Sequence, residues 1–226
     1  VPTSTFHNLP DAKRERIVAA AVEVFAAAPY ARAHLDDVAR KADVSKGSLY
    51  QYFAGKADLY GWLVTGHLAA RKVAAITAEA PGPDASVWDV FEQAVYSGVR
   101  FAVREPLLTR LGLRFHQDQS LEPALRTLAV ETKAAGRAWV VGQLERGVSR
   151  GEIRPDVDLN VASGFLAYAL GEGMLDPLAH TLGRSTEALL ADPDALADLD
   201  EADLHGPVRA ILSLLRGGLD PHGGLP

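Results

Sequence analysis

Apolar residues recur at helical spacing along almost the whole chain, and no run of alternating β-branched residues bounded by turn signals calls for a sheet. Between Pro10 and Ala28 the set Ile17, Ala20, Ala21, Val24, Phe25 and Ala28 lines one face of a helix. Pro10 and Asp11 suit its first turn, and Pro29 ends it. A short helix follows over Leu35–Ala42, with Leu35, Val38, Ala39 and Ala42 on one side. Asp43 then stands where the chain must turn, and Asp tolerates left-handed backbone better than most residues. Ser45 is a good N-cap for the next helix, with Val44 and Leu49 placed as a hydrophobic staple and Leu49 and Phe53 facing inward. A fourth helix begins at Gly55 or Lys56 and can run to about Ala80, where PGPD breaks it; at ~1.5 Å per residue it reaches roughly 35 Å. Beyond Pro83 the pattern predicts helices at about Ala85–Arg104, Leu107–Gln117, Leu121–Arg150, Asp158–Ala179 and Ala202–Leu215. Thr181–Asp203 reads as an acidic connection with a helical turn or two, and the GGLDPHGGLP tail as frayed.

The expected fold class is therefore all-α. Residues 1–55 should form a three-helix head, and a long helix should join it to a helical bundle within residues 56–226. At 226 residues with 48% hydrophobic and 23% charged positions, the chain has the make-up of a soluble globular protein with a sizeable core. It lacks cysteine, which excludes disulfides and thiolate chemistry. Its longest apolar run falls short of the ~20 residues a bilayer demands, and no signal layout opens the chain, so a cytoplasmic location is expected. The net charge of −6 is uneven: residues 1–60 hold 8 Lys+Arg against 7 Asp+Glu, and the remainder holds 15 against 22. An acidic body with a near-neutral head is compatible with a nucleic-acid reader without demanding one.

Two short helices joined by a tight turn and packed on a longer first helix have the layout of a helix-turn-helix. Within it, Lys46 and Lys56 each fall at a helix start, where a cation opposes the helix dipole. The oddity disappears if both helix ends seat phosphates. Gly47, Ser48, Tyr50, Gln51 and Tyr52 lie beside Lys46 on the outward side. Ser48 and Gln51 can bond base edges, and the tyrosines can reach phosphate oxygens. The plainer reading is two solvated lysines and a core tyrosine.

RIVAAAVEVFA, LDDVARKADVSKGSLYQYF and GKADLY, spanning about Arg16–Tyr60, resemble the TetR family of transcriptional repressors, and GEIRPDVDLNVASGFL is more weakly similar. The resemblance implies that Lys46, Gly47, Ser48, Tyr50, Gln51, Tyr52 and Lys56 contact double-stranded operator DNA. Three positions depart from it. Asp43 replaces the usual turn glycine, His34 a common threonine cap, and Asp36 a basic or polar phosphate contact; Lys13 and Arg14 could contact the backbone instead.

The resemblance also implies a homodimer formed through the last two long helices. Val161–Leu175 is apolar nearly all round, with Val161, Phe165, Tyr168 and Leu175 on one face, and Val208, Ile211, Leu212 and Leu215 stripe the final helix. Candidates for a pocket taking a largely apolar small-molecule effector are Trp88, Phe91, Tyr96, Phe115, His116, Trp139, Gln143, Phe165 and Tyr168, although aromatics at helical spacing also simply form core. No metal-ligand spacing, nucleophile elbow or phosphate-cradling glycine loop occurs, so neither an enzyme nor a metal or other cofactor is expected. The expected function is a ligand-released repressor acting as a dimer on a palindromic operator. The rivals are a helical-bundle small-molecule binder or enzyme with a vestigial head, and an architectural DNA binder.

Overall fold

The computed structural model describes residues 1–78, 80–181, 183–191 and 201–221. Among them every regular element is helical. They fall into two compact units, Val1–Arg71 with Leu107–Thr132, and Lys72–Pro106 with Lys133–Pro226. The expected division at residue 55 follows the chain, whereas the packing draws the segment 107–132 into the unit that holds the head.

The first unit opens with α1 (Ser4–His7), which the periodicity left unassigned, and α2 (Asp11–Ala27). A single 3-10 turn, Tyr30–Arg32, leads to α3 (Leu35–Lys41), α4 (Lys46–Tyr52) and α5 (Lys56–Trp62). Helical backbone continues from α5 through a π segment, Leu63–Leu68, into α6 (Ala69–Thr77). A Cβ on Gly66 would come within 2.9 Å of the Trp62 indole, so this widened turn accommodates a ring that an L side chain would displace.

Two aromatic groups fill the unit. Phe6 of α1 packs on Phe53 and Trp62 at ring distances of 4.9 and 5.2 Å. Tyr60 stacks on Phe25 at 4.6 Å and meets Phe115 edge-on at 5.5 Å. Phe115 belongs to α8 (Pro106–Gln117), and Leu125 and Leu128, in the first turns of α9 (Pro123–Ser149), close on Gly61. Phe6, Phe25, Phe115 and Tyr60 are fully buried. Each large apolar side chain removed from water contributes about 1.5–3 kcal/mol.

In the second unit α7 (Val87–Arg104) starts on a reciprocal cap: Ser86 Oγ accepts from Asp89 N at 3.1 Å and Asp89 Oδ2 accepts from Ser86 N at 2.9 Å. Val87, Phe91, Val95 and Val99 of α7 share a core with Val140 and Leu144 of α9, Ile153, and Leu166 of α10 (Leu159–Ala169). Asp158 caps α10 by accepting from the amides of Asn160 and Val161. The helix expected over Asp158–Ala179 is interrupted. α10 ends at Ala169, a 3-10 turn spans Glu172–Met174, and α11 (Leu175–Thr181) follows. Gly171 and Gly173 explain the break: both are poor helix formers, and a Cβ on Gly173 would lie 2.8 Å from the Tyr168 ring. After α12 (Thr186–Ala191), α13 (Glu201–Leu219) packs on α7. The rest of the acidic connection, 192–200, and the tail beyond 221 lie outside the described residues.

Candidate nucleic-acid interface

The turn between α3 and α4 is built by backbone hydrogen bonds. Val44 N donates to Ala39 O at 3.0 Å and Asp43 N to Arg40 O at 3.3 Å, the paired bonds of a Schellman ending, with Asp43 at φ +53°. Among the described residues Asp43 alone, glycines aside, has a positive φ. Asp thus occupies the left-handed position that glycine serves without a Cβ penalty. Ser45 caps α4 as expected, its Oγ accepting from Ser48 N at 3.1 Å. His34 precedes α3 without a side-chain cap.

On α4 this construction turns Leu49 inward and leaves Lys46, Gly47, Tyr50 and Gln51 exposed, with Ser48 half-exposed. Tyr50 keeps 52% of its surface, whereas Tyr52 keeps 4% and packs on Phe6 at a ring distance of 6.0 Å. The expectation that Tyr52 lies outward is corrected: it sits three residues after Leu49, on the same buried face. Thr3 holds the C-terminal end of α4 from behind, its N–H donating to Tyr52 O at 2.9 Å and its hydroxyl to Gln51 O at 2.8 Å.

Four of the eight lysines and arginines in residues 1–60 pair with carboxylates of the same unit. Lys46 Nζ lies 2.8 Å from Asp36 Oδ1 and 3.0 Å from Oδ2, and this hydrogen bond and the carboxylate's charge raise the lysine's pKa. Lys41 pairs with Glu23 at 2.7 Å, Arg40 with Asp37, and Arg14 with Asp11. Arg14 also donates to the carbonyls of His7 and Leu9, which ties it to the turn before α2. Lys56 is half-buried, and its ammonium donates to Tyr30 O at 2.8 Å and Ala33 O at 3.2 Å, 4.0 Å from the centre of the Tyr30 ring. Two of its three protons are thus engaged, and its position at a helix start has an explanation inside the protein.

The same 3-10 turn is held from the other side by residues that sequence reading missed. Asp118 Oδ2 accepts from Tyr30 N at 2.5 Å, Ser120 Oγ from Ala31 N at 3.0 Å, and Glu122 from the Tyr30 hydroxyl. Burial pushes the Asp118 carboxyl up. The Ser120 hydroxyl, the Tyr30 and Ser120 amides and the Arg114 charge outweigh it, so its pKa lies below the usual carboxylate range. Burial first, then the bond to Glu122, pushes the Tyr30 phenol up. An open hollow of about 480 Å3 lies among Tyr30, Ala54–Asp58 and Glu122.

The pocket candidates are dispersed. Phe115 and His116 belong to the first unit, the other seven to the second. Phe91 is fully buried and Trp88 nearly so, and Trp88 borders a groove of about 220 Å3 with Glu92, Arg209, Leu212, Ser213 and Arg216. Tyr96 is half-buried; Gln143, also half-buried, holds its Oε1 atom away from solvent without a hydrogen-bond partner. Trp139 is partly exposed and lies 6.2 Å from the Phe91 ring. Phe165 and Tyr168, at 62% and 63% exposure, form with Val161 an open apolar stripe on α10. Among the described residues no cluster of three or more His, Asp or Glu side chains could hold a metal ion, and no helix is long and apolar enough to cross a membrane.

Residues 17–61, which contain the turn and its flanking helices, match the family model for bacterial regulatory proteins of the TetR family. In this head, about a fifth of its length, the chain is similar to regulators of the TetR family. A regulator of the same helix-turn-helix type, SrpR of Pseudomonas putida, is 48% identical over 46 residues, which amount to 20% of this chain and 22% of SrpR. The sequence match to that curated relative thus spans about a fifth of its length. Structural likeness reaches further. A TetR family transcriptional regulator from Chloroflexus aurantiacus superposes with a TM-score of 0.79 at 24% identity, covering 97% of this chain and 99% of that one. FadR from Bacillus subtilis, solved in complex with stearoyl-CoA, gives 0.65 at 20% identity, covering 93% and 99%. The helical body therefore has the fold of TetR-family regulators, and Asp43, His34 and Asp36 lie within the matched residues 17–61.

Proposed function

We propose that this chain is a ligand-responsive transcriptional repressor of the TetR family that binds a palindromic operator as a homodimer and is released by a small, largely apolar molecule. The observation that carries the reading is the open surface of α4. Lys46, Gly47, Ser48, Tyr50 and Gln51 lie on a convex helix whose start is capped and whose inner face is anchored by Leu49 and Tyr52. A helix so presented enters a major groove, where Gln51 can pair with adenine while Lys46 and the tyrosine hydroxyl position the backbone. Lys56 enters the reading as a support that fixes the Tyr30–Ala33 turn.

The Val161, Phe165 and Tyr168 stripe supports pairing of two chains through α10 and α13, because a soluble protein rarely leaves three large apolar residues open at spacing i, i+4, i+7. This reading assigns Phe165 and Tyr168 to the pairing surface. Effector contacts remain with Trp88, Phe91, Tyr96, Trp139 and Gln143, whose buried Oε1 has no hydrogen-bond partner and is free to accept one from an effector. FadR from Bacillus subtilis, which shares this fold, was solved with stearoyl-CoA, and the apolar acyl chain of that ligand is in keeping with an effector that has a large apolar part. An effector that binds the DNA-incompetent arrangement more tightly, with coupling of about 1–3 kcal/mol, shifts operator affinity about 5- to 150-fold.

Enrichment of random duplexes on the purified protein tests the reading. The expected product is a palindrome whose half-sites lie about 34 Å apart. In that duplex Gln51→Ala should relax the preference at one base position per half-site, and uniform weakening across sequences would contradict base reading. Recovery of no preferred sequence, together with tight small-molecule binding, would favour a helical-bundle binder with a vestigial head.

A further inference from the structure

Asp36 stands on the first turn of α3, and Lys46 on the first turn of α4 is the one cation of that helix. A lysine there opposes the helix dipole, and the Asp36 carboxylate relieves the conflict by taking both contacts at 2.8 and 3.0 Å. Both side chains remain more than half exposed, at 53% and 64%, so the pair adds little to stability. Its larger effect is on the field in front of the recognition surface. Arg40 and Lys41 are already matched to Asp37 and Glu23, and with Lys46 matched as well the surface carries almost no net positive charge there.

We propose that Asp36 is an attenuator of duplex affinity: by clasping Lys46 it cancels a phosphate contact of the recognition helix. The inference rests on the groove reading given above. While the clasp is closed Lys46 neutralises no phosphate, and in reaching one it must give up the Asp36 carboxylate, whose charge then opposes the duplex. Asp36 thereby lowers attraction to any duplex and leaves recognition to base-edge contacts, because phosphates carry no sequence information.

The test titrates parent and Asp36→Asn protein with the enriched palindrome and with a scrambled duplex of equal length, between about 50 and 200 mM salt. The variant should steepen the log–log salt slope by about 0.9 per head. Its advantage at the low-salt end should then exceed that at the high-salt end by ~3.5-fold per head, or ~12-fold for two heads, equally on both duplexes. Asp36→Ser, which also suits a first helical turn, should reproduce the change, and in a Lys46→Ala background Asp36→Asn should leave the slope where it is. Parallel slopes for parent and variant, a slope change that persists without Lys46, or a gain confined to one duplex would each overturn the proposal while leaving groove binding intact. Failure of both proteins to retain either duplex would overturn the groove reading and the attenuator with it.

Discussion

Lys56→Met separates a structural lysine from a phosphate-binding one. The substitution keeps the aliphatic stem and removes an ammonium that bonds Tyr30 O at 2.8 Å and Ala33 O at 3.2 Å. Hydrogen bonds to a charged group contribute about 1.5–3 kcal/mol each when sheltered. Contact with a partly exposed aromatic face adds about 0.5–1 kcal/mol. Lys56 is only half-buried, so water recovers part of both contributions. Tyr30 O keeps a bond from Ala33 N at 3.3 Å, whereas the carbonyl of Ala33, a buried residue, is left short of a donor. A net loss of roughly 2 kcal/mol follows for opening of the head, equivalent to about 30-fold faster amide hydrogen exchange. The amides to follow are Val38 and Leu49, on the core faces of α3 and α4. The salt slope for duplex binding should stay within experimental error of the parent's. Unchanged exchange with a slope shallower by about 0.9 per head would show that Lys56 holds a phosphate, and would refute the assignment of its charge to the turn.

Asp43→Gly should raise the melting temperature, with a gain of about 0.5–1 kcal/mol from relief of the left-handed strain, while Asp43→Val should lower it; equal melting of all three proteins would remove strain from the account. Phe165→Asp should weaken self-association by at least ~30-fold in sedimentation equilibrium, and an unchanged dimer would place the pairing surface elsewhere. The Asp118 carboxyl has a depressed folded pKa, so its contribution is complete above the unfolded pKa of about 3.9 and is lost as pH falls through the folded value. Asp118→Asn should therefore be less stable than the parent at neutral pH, with the gap in thermal unfolding closing below about pH 4; a pH-independent gap would show that the carboxylate's charge is irrelevant.

The sequence made the helix-turn-helix legible because everything that builds it is local. The Leu35/Val38 face, the tolerance of Asp43 for left-handed backbone, and the Ser45 cap each depend on residues no more than five positions apart. Tyr52 escaped that logic although its spacing from Leu49 was visible, since only Phe6 in the unassigned α1 shows what the inner face packs against. The break in the helix expected over Asp158–Ala179 was signalled by Gly171 and Gly173, but two glycines permit close helix contact as readily as they end a helix. The π segment at Leu63–Leu68 had no local mark beyond Gly66. The holding of Tyr30 by Asp118 and Glu122 joins residues 88 and 92 positions apart, a separation at which periodicity carries no information. The partnership of Lys46 with Asp36 lies between these extremes: both residues looked misplaced on their own, and each accounts for the other.

The inclusion of Leu107–Thr132 in the same unit as the first seventy-one residues limits how this protein can be cut and recombined. A fragment ending after α5 would uncover Tyr60 where Phe115 lies and Gly61 where Leu125 and Leu128 lie, and would strip Tyr30 of its amide and hydroxyl acceptors. Chimaeras that graft this head onto another helical body should therefore carry residues 107–132 across with it, or rebuild those contacts on the recipient side of the seam.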